Sequence, residues 1–203
     1  MSEILDLDDP EALDAARDAL AAGQPVGLPT DTVYVLAVDP FAAGASDRLF
    51  SLLRRPRDRD LSVLVADVDA AVALTTSLPD AARRLMDGCW PGPVTLVLPR
   101  DPSCAADLGD DDLTVGVRMT HHPAITALCR EIGPLGVATA SLGEDTLDGP
   151  EEVLEALGDA VPVLLDGPVA GIQSTVVDAT GDEPHLIRQG SVPWDEVIAI
   201  LKG

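Results

Sequence analysis

The sequence predicts an α/β fold built on a mixed sheet. Short apolar runs rich in Val and Leu alternate along the chain with helical segments, an order typical of α/β proteins. A turn signal at Gly181-Asp182, between two late apolar runs, indicates a hairpin and hence an antiparallel piece of sheet. The 203 residues are 46% hydrophobic but only 2% aromatic, so aliphatic side chains must fill the core. We expect one domain over residues 1–203.

Turn and capping residues mark the elements in the first half of the chain. Asp8-Asp9-Pro10 opens a helix whose acidic first turn suits the positive end of its dipole, and Gly23 ends this helix. Residues 42–53 form a second predicted helix, with Leu49 and Leu53 on its buried side. The other predictions in this half are strands at 25–30, 34–39, 61–66 and 94–98, and helices near 67–75 and 79–88.

The second half continues the alternation and ends in the hairpin. Pro123 begins a predicted helix, because proline suits the first helical turn. The acidic stretch 99–113, which contains Asp110-Asp111-Asp112, is expected to be a mobile loop. The predicted strands are 114–118, 136–139, 162–166, 174–178 and 185–188, and the predicted helices are 123–132, 151–157 and 195–201.

Charge and cysteine content exclude several classes of function. The net charge is −22, and twelve of the thirteen basic residues are arginines, with Lys202 the only lysine. An extensive nucleic-acid surface is therefore not expected, since duplex binding needs many basic contacts. The acidity also suits a general adaptation to solubility or salt. Three cysteines without a C-x-x-C pair predict neither a disulfide framework nor a tightly bound metal. The N-terminus carries no leader pattern and no apolar run reaches membrane-spanning length, so we expect a cytoplasmic protein without membrane contact.

The most informative segment is Pro29–Tyr34, which reads Pro-Thr-Asp-Thr-Val-Tyr. It follows a predicted strand and places two hydroxyls, a carboxylate and a phenol at the strand end. Open α/β sheets bind ligands at such ends. The same residues also suit a plain turn in which the side chains close on backbone amides.

Three further stretches, together with this segment, resemble a known family. They are Trp90–Leu96, Val117–Pro123, and Ser174–Asp178 with Ile187–Gly190. In order and spacing, over roughly residues 10–200, these motifs are similar to the YrdC-like family, the threonylcarbamoyl-AMP synthases. The resemblance implies a YrdC-like domain in which a twisted mixed sheet with flanking helices surrounds a ligand cleft.

The resemblance also implies a reaction and its participants. It predicts an enzyme that joins L-threonine, bicarbonate and ATP into threonylcarbamoyl-AMP and releases pyrophosphate, for the modification of a tRNA adenosine. ATP would enter with Mg²⁺ as a substrate complex, and tRNA-modification proteins are the implied partners.

Site residues are carried over position by position from the motifs of the family. The residues implied to contact the amino-acid substrate are Thr32, Tyr34, Arg118, Ala138 and Ser174. Those implied to contact the nucleotide are Arg55, Arg59, Thr114 and Arg188. Arg55 and Arg118 are the candidate catalytic residues. From the residues alone, Arg118 could instead pair with an aspartate, and Arg188 with Asp178 across the hairpin.

Several positions depart from the family pattern. Leu53 stands where the family has a lysine, Val35 replaces a glycine, and Asp60 replaces a proline. In the simplest alignment Ala140 and Leu142 replace the serine and asparagine that the family directs at the phosphates. These changes motivate an alternative hypothesis: a diverged paralogue that binds a nucleotide, amino acid or RNA without forming the adenylate.

Overall fold

A computed structural model describes residues 1–202, apart from the side chain of Pro10. Its centre is one ten-stranded sheet with the order β1-β10-β2-β3-β7-β4-β6-β5-β11-β12. The strands are β1 (Glu3–Asp6), β2 (Val26–Leu28), β3 (Val35–Val38), β4 (Ser62–Leu64), β5 (Val94–Pro99), β6 (Thr114–Arg118), β7 (Leu135–Thr139), β8 (Ser141–Leu142), β9 (Asp145–Thr146), β10 (Val163–Asp166), β11 (Thr175–Asp178) and β12 (His185–Arg188). β8 and β9 form a separate small hairpin.

Helices cover both faces of the sheet. They are α1 (Pro10–Ala21), α2 (Ala45–Leu52), α3 (Val68–Val72), α4 (Asp80–Cys89), α5 (Pro123–Ile132), α6 (Pro150–Leu157) and α7 (Trp194–Lys202). One buried cluster joins α1 and α5 to the sheet through Leu20 and Leu128, while another joins α2, α4 and α7 through Leu49, Leu85 and Val197. The sheet is thus the middle layer between two aliphatic cores, which fits the scarcity of aromatic residues.

The sheet mixes parallel and antiparallel neighbours, as the sequence predicts. β2, β3, β7 and β4 run antiparallel in succession, whereas β4 pairs with β6, and β5 with β11, in parallel. The late hairpin is present, because β11 and β12 pair antiparallel across Gly181-Asp182. Because β7 runs opposite to β6, the ends of β2 and β7 lie at one edge of the sheet, and the end of β6 and the start of β11 lie at the other.

The predicted helices and strands are found close to their expected limits, with two omissions. β1 pairs with β10 at the sheet edge, but its sequence Glu-Ile-Leu-Asp has no clear apolar alternation. The hairpin β8–β9 has strands of two residues each, too short for a periodic pattern. Short or edge strands of this kind depend on a neighbour rather than on their own sequence.

The acidic stretch 99–113 differs from the expected mobile loop. The buried Arg100 guanidinium donates hydrogen bonds to the carbonyls of Asp111, at 3.0 Å, and of Ala106. Leu108 is 2% exposed and packs in the core. The loop is therefore anchored by a buried arginine and an apolar side chain, features that an acidic composition conceals. Within residues 1–202, none of the helices is both long and apolar enough to cross a bilayer.

Candidate functional site

A cleft of about 310 Å³ is lined by residues of β3, β4, β5, β6 and β7, and by the segments that follow β2 and precede β11. The loop after α2 forms one of its walls, and the β8–β9 hairpin forms another. Its lining contains many hydroxyl groups and charged side chains. The polar residues that line it are Thr30, Thr32, Arg54, Arg55, Arg59, Ser62, Thr95, Arg118, Thr139, Ser141, Glu144, Thr146, Gln173, Ser174 and Arg188.

The cleft is positively charged although the protein is strongly acidic. Five arginines and one glutamate, Glu144, contribute the charged groups of its lining, which leaves four formal positive charges. The chain as a whole carries −22. A low-dielectric cleft with one sign of charge concentrates the field and attracts anions, so this site suits a phosphate-bearing or carboxylate-bearing ligand.

Arg118, at the end of β6, is fixed by three hydrogen bonds. Its Nε donates to the carbonyl of Gly92 at 3.1 Å, Nη1 donates to Thr32 Oγ1 at 2.6 Å, and Nη2 contacts Asp31 Oδ1. Burial lowers the pKa of Arg118, and the charge of Asp31 opposes that effect. A guanidinium has five N–H donors, so two remain for a ligand in the cleft. Arg118 thus has both the ligand-facing position and the aspartate partner that the sequence left open as alternatives.

The Pro29–Tyr34 segment orients its hydroxyls through a directed chain of hydrogen bonds. Thr30 Oγ1 donates to the carbonyl of Val33 at 2.7 Å, which uses its single proton. The contact of 2.9 Å between Thr30 Oγ1 and Thr32 Oγ1 must therefore be donated by Thr32. Thr32 Oγ1 in turn accepts from Arg118. The turn geometry and the ligand-facing position coexist here, because the hydroxyls close the turn and still line the cleft.

Asp31 lies behind this arrangement rather than in the cleft lining. Its Oδ1 also accepts a hydrogen bond from Thr120 Oγ1. Its Oδ2 is buried and has no partner among the described residues. The carboxylate therefore holds Arg118 and Thr120 with one oxygen, and Arg118 is its salt-bridge partner.

The arginine-rich loop, residues 54–59 after α2, contains two kinds of arginine. Arg55 lines the cleft while its Nε and Nη2 donate to the carbonyls of Arg59 and Asp60 at 2.5 and 2.9 Å. Partial burial lowers the pKa of Arg55, with repulsion from Arg59 and Arg188 acting in the same direction. Arg55, Arg59 and Arg188 line the same cleft, so all three can act on one anion.

Arg57 belongs to the other group, because it points to carboxylates outside the cleft lining. It forms salt bridges with Asp47 at 2.6 Å, Asp107 at 2.5 Å and Asp110 at 3.4 Å. Its guanidinium also lies 4.8 Å from the centre of the Phe50 ring. Arg57 thus attaches the arginine loop to α2 and to the 99–113 loop, and it leaves the other arginines to the cleft.

Ser174, just before β11, forms the opposite wall with two partners. Its Oγ lies 2.9 Å from Thr95 Oγ1, and Arg188 Nη2 donates to its carbonyl at 3.0 Å and to its Oγ at 3.3 Å. Asp178 instead accepts from the backbone N and hydroxyl of Thr180. The alternative of an Asp178–Arg188 pair is therefore wrong, and Arg188 joins the cleft.

Comparison with known proteins now adds an independent observation. A sequence model of the Sua5, YciO and YrdC proteins, described as telomere recombination, matches residues 18–190. The chain belongs to the Sua5/YciO/YrdC family. The resemblance inferred from the four motifs is thereby confirmed.

The alignments with similar proteins cover nearly the whole of this chain. A Mycobacterium tuberculosis protein, provisionally named threonylcarbamoyl-AMP synthase, is 39% identical over 99% of this chain and 96% of its own length. The threonylcarbamoyl-AMP synthase of Bacillus subtilis is 32% identical over 99% of this chain and 59% of its own. The crystal structure of Pyrococcus abyssi Sua5 complexed with L-threonine has a TM-score of 0.86 and 28% identity, covering 98% of this chain and 61% of that one. The chain thus spans about three fifths of the latter two proteins.

Two of the site residues carried over from the family lie outside the cleft lining. Tyr34 is 1% exposed, and its hydroxyl donates to the carbonyl of Leu165 at 2.8 Å. This hydrogen bond links the residue just before β3 to β10. Thr114 donates to Asp111 Oδ2 at 2.5 Å and lines a separate pocket of about 160 Å³. The expected ligand contacts of these two side chains stay predictions, although both side chains lie away from the cleft lining. Thr32, Arg55, Arg59, Arg118, Ala138, Ser174 and Arg188 do line the cleft.

Some residues that depart from the family pattern line the cleft, and others lie outside its lining. Leu53 and Val35 line the cleft. Ala140 is fully buried and bonds through its backbone to Tyr34 and Leu147, so it presents nothing to a ligand. The neighbouring hydroxyls of Thr139 and Ser141 line the cleft instead. The cleft thus keeps two hydroxyl groups beside the positions of Ala140 and Leu142.

Sequence reasoning missed several polar groups of the cleft. Thr30, Thr95 and Gln173 each lie one or two residues from a predicted site residue or within a quoted motif. Strand alternation would have been the signal for Thr95, which pairs in register with Val176 of β11. Arg54 belongs to the basic cluster at residues 54–59, and its left-handed backbone is a property that the sequence does not show.

Proposed function

We propose that this protein is a threonylcarbamoyl-AMP synthase, which forms threonylcarbamoyl-AMP and pyrophosphate from L-threonine, bicarbonate and ATP. The observation that carries the proposal is the meeting of Arg118 and Thr32 with Arg55, Arg59 and Arg188 in a single cationic cleft. Membership of the family and the threonine complex of Sua5 support the same assignment.

The β6 side of the cleft suits the amino acid. Arg118 has two unused N–H donors, which match the paired oxygens of a carboxylate. Thr32 Oγ1, whose proton is already committed to Thr30, can act towards a ligand only as an acceptor. The carboxylate of the substrate threonine would therefore lie against Arg118, and the other polar groups of that threonine would lie near Thr32 and Ser174.

The arginine loop and β12 side suits the nucleotide. Arg55, Arg59 and Arg188 would hold the phosphates through charge-assisted hydrogen bonds. Mg²⁺ would arrive as part of the ATP substrate, since phosphate oxygens and water supply most of its ligands in such complexes. Glu144, the carboxylate of the cleft lining, lies on the β8–β9 hairpin and would be a candidate ligand for that cation.

The reaction needs positioning and charge stabilisation rather than a protein nucleophile. The threonine amine bonds to the carbon of bicarbonate, and water leaves to give the carbamate. A carbamate oxygen then bonds to the α-phosphorus of ATP, and the bond from that phosphorus to the bridging oxygen of pyrophosphate breaks. Negative charge shifts to the pyrophosphate during this exchange. Guanidinium groups already oriented in a shielded cleft stabilise that charge without reorganising.

We place the reaction in the cytoplasm, as the supplier of an activated group for tRNA modification. The activated product would pass to tRNA-modification proteins rather than to RNA bound broadly on this chain. The net charge of −22 and the location of five arginines inside the cleft support that division of labour.

The primary test is pyrophosphate release by the purified protein with ATP, Mg²⁺ and bicarbonate, with and without L-threonine. We expect threonine-dependent release. Folded protein that binds a ligand but releases no pyrophosphate would overturn the proposal in favour of a diverged binding protein.

A matched pair of variants tests the assigned threonine site. Thr32→Val keeps the side-chain volume but removes the acceptor of Arg118, and we expect the KM for threonine to rise about tenfold or more, the usual effect of losing a hydrogen bond to a charged group. Thr126→Val removes another buried hydroxyl, which bonds to backbone carbonyls away from the cleft lining, and should leave that KM unchanged. Arg118→Ala is less informative because it would leave Asp31 without its salt-bridge partner. Equal KM values in the two valine variants would exclude Thr32 from the threonine site.

A further inference from the structure

Arg54 adopts a backbone conformation that favours glycine. Its φ is +49°, and within residues 1–202 it is the non-glycine residue with a positive φ. It occupies the position just after the C-cap of α2, where its N–H donates to Ser51 O at 3.2 Å and the next N–H, of Arg55, donates to Phe50 O at 2.9 Å. This pair of bonds ends helices through a left-handed residue, usually glycine because a Cβ is disfavoured there.

The strained turn is not accounted for by contacts of the Arg54 side chain within the protein. That side chain is exposed, lines the cleft, and has neither a hydrogen bond nor a salt bridge among the described residues. Arg57, three residues later, shows what a structural arginine of this loop looks like, with three carboxylate partners and an aromatic ring. A charged residue that keeps a disfavoured backbone conformation and has no partner in the protein indicates a side chain that binds a ligand.

Arg54 also has more donors to offer than its neighbour. Arg55 uses Nε and Nη2 on backbone carbonyls that hold the loop together. Arg54 keeps all five N–H groups for an incoming anion. Arg54, Arg55 and Arg59 together give the cleft three guanidiniums from one short loop, a density that matches a chain of phosphates better than a single carboxylate. The carboxylate already has its partner in Arg118, at the end of β6.

We propose that Arg54 is a phosphate-binding residue for the triphosphate of ATP, directed into the cleft by its left-handed backbone. This inference rests on the proposed function for the identity of the nucleotide. It adds a binding residue that the family motifs do not assign.

The test compares Arg54→Gln and Arg54→Gly with Arg84→Gln, an exposed arginine of α4 that lies outside the cleft lining and has no recorded side-chain partner among the described residues. The affinity for ATP with Mg²⁺ is measured by calorimetry, together with thermal stability and the KM for each substrate. We expect both Arg54 variants to bind ATP about tenfold more weakly or worse, as for other lost hydrogen bonds to charged groups, and Arg84→Gln to match the wild type. Arg54→Lys should recover part of the affinity.

Stability separates a ligand role from a structural one. Arg54→Gly should melt at the same temperature as the wild type or higher, because glycine suits the left-handed position, while its ATP affinity falls. A lower melting temperature for Arg54→Gly would instead assign the arginine a structural role and overturn the inference.

The affinities decide the remaining outcomes. Equal ATP affinities of Arg54→Gln and Arg84→Gln would overturn the inference, as would a change confined to the KM for threonine. Wild-type protein that binds ATP without releasing pyrophosphate would refute the proposed reaction and still allow the Arg54 comparison. Wild-type turnover with an unaffected Arg54→Gln would refute the inference alone.

Discussion

Asp31→Asn tests whether the buried salt bridge behind the cleft holds Arg118 in place. The side chains of Arg118 and Asp31 are 7% and 18% exposed, and Asp31 Oδ1 accepts from both Arg118 and Thr120. Asparagine keeps an oxygen for these two donors but removes the charge opposite a buried guanidinium. It also places an amide N–H group where Oδ2, an atom without a partner, is buried.

The expected loss of stability follows from these two changes. Removing one partner of a fully buried ion pair costs about 3–5 kcal/mol, and the residual hydration of Asp31 together with the retained acceptor reduces that figure. An unsatisfied buried N–H adds about 1–3 kcal/mol. We therefore expect the free energy of unfolding to fall by about 3 kcal/mol, which lowers the Tm of a chain of this size by roughly 6–12 °C.

Chemical denaturation measures the change, with Asp58→Asn as the charge-matched control. Asp58 is exposed and has no hydrogen bond or salt bridge recorded among the described residues, so its substitution changes only the net charge. The midpoint of Asp31→Asn should fall with an unchanged m-value. Its KM for threonine should rise as Arg118 loses its orientation. If the two variants unfold at the same denaturant concentration, the salt bridge is not a determinant of this site.

Two further predictions concern the cleft wall and a buried thiol. Leu53→Lys should restore part of the ATP affinity lost in Arg54→Gln, because both positions line the cleft. Leu52→Lys, outside the lining, should not restore it. Equal ATP affinities after either lysine substitution would contradict a local effect. Burial raises the pKa of Cys129 from 9.0 to about 12. The unfolded chain therefore ionises first, and the contribution of Cys129 to stability is complete below pH 9 and is lost as the pH rises towards about 12. The stability of wild-type protein should fall towards that of Cys129→Ala over this interval, by up to about 1.4 kcal/mol per pH unit in urea denaturation, and a constant difference would exclude this titration.

The cleft shows which features of the site a local sequence pattern can predict and which it cannot. The Pro29–Tyr34 segment could be recognised because its residues are consecutive, but the roles within it could not be separated. Thr32 and Tyr34 are both polar and two residues apart, yet one lines the cleft and the other bonds to Leu165, 131 residues away. That choice depends on β10 lying next to β2, a crossover that periodicity does not encode.

The sequence by itself determined the family, the α/β class, most helices and strands, and the presence of an arginine-rich loop in an acidic chain. These properties depend on composition, on local spacing and on consecutive motifs. Only the tertiary structure decided which arginines line the cleft, because Arg57 meets carboxylates from two other segments while Arg54 has a left-handed backbone and lies in the lining. It also decided that Arg118 meets Asp31 across 87 residues. Charges separated this far along a chain are brought together by strand order, and strand order is set by packing of the whole sheet rather than by any segment alone.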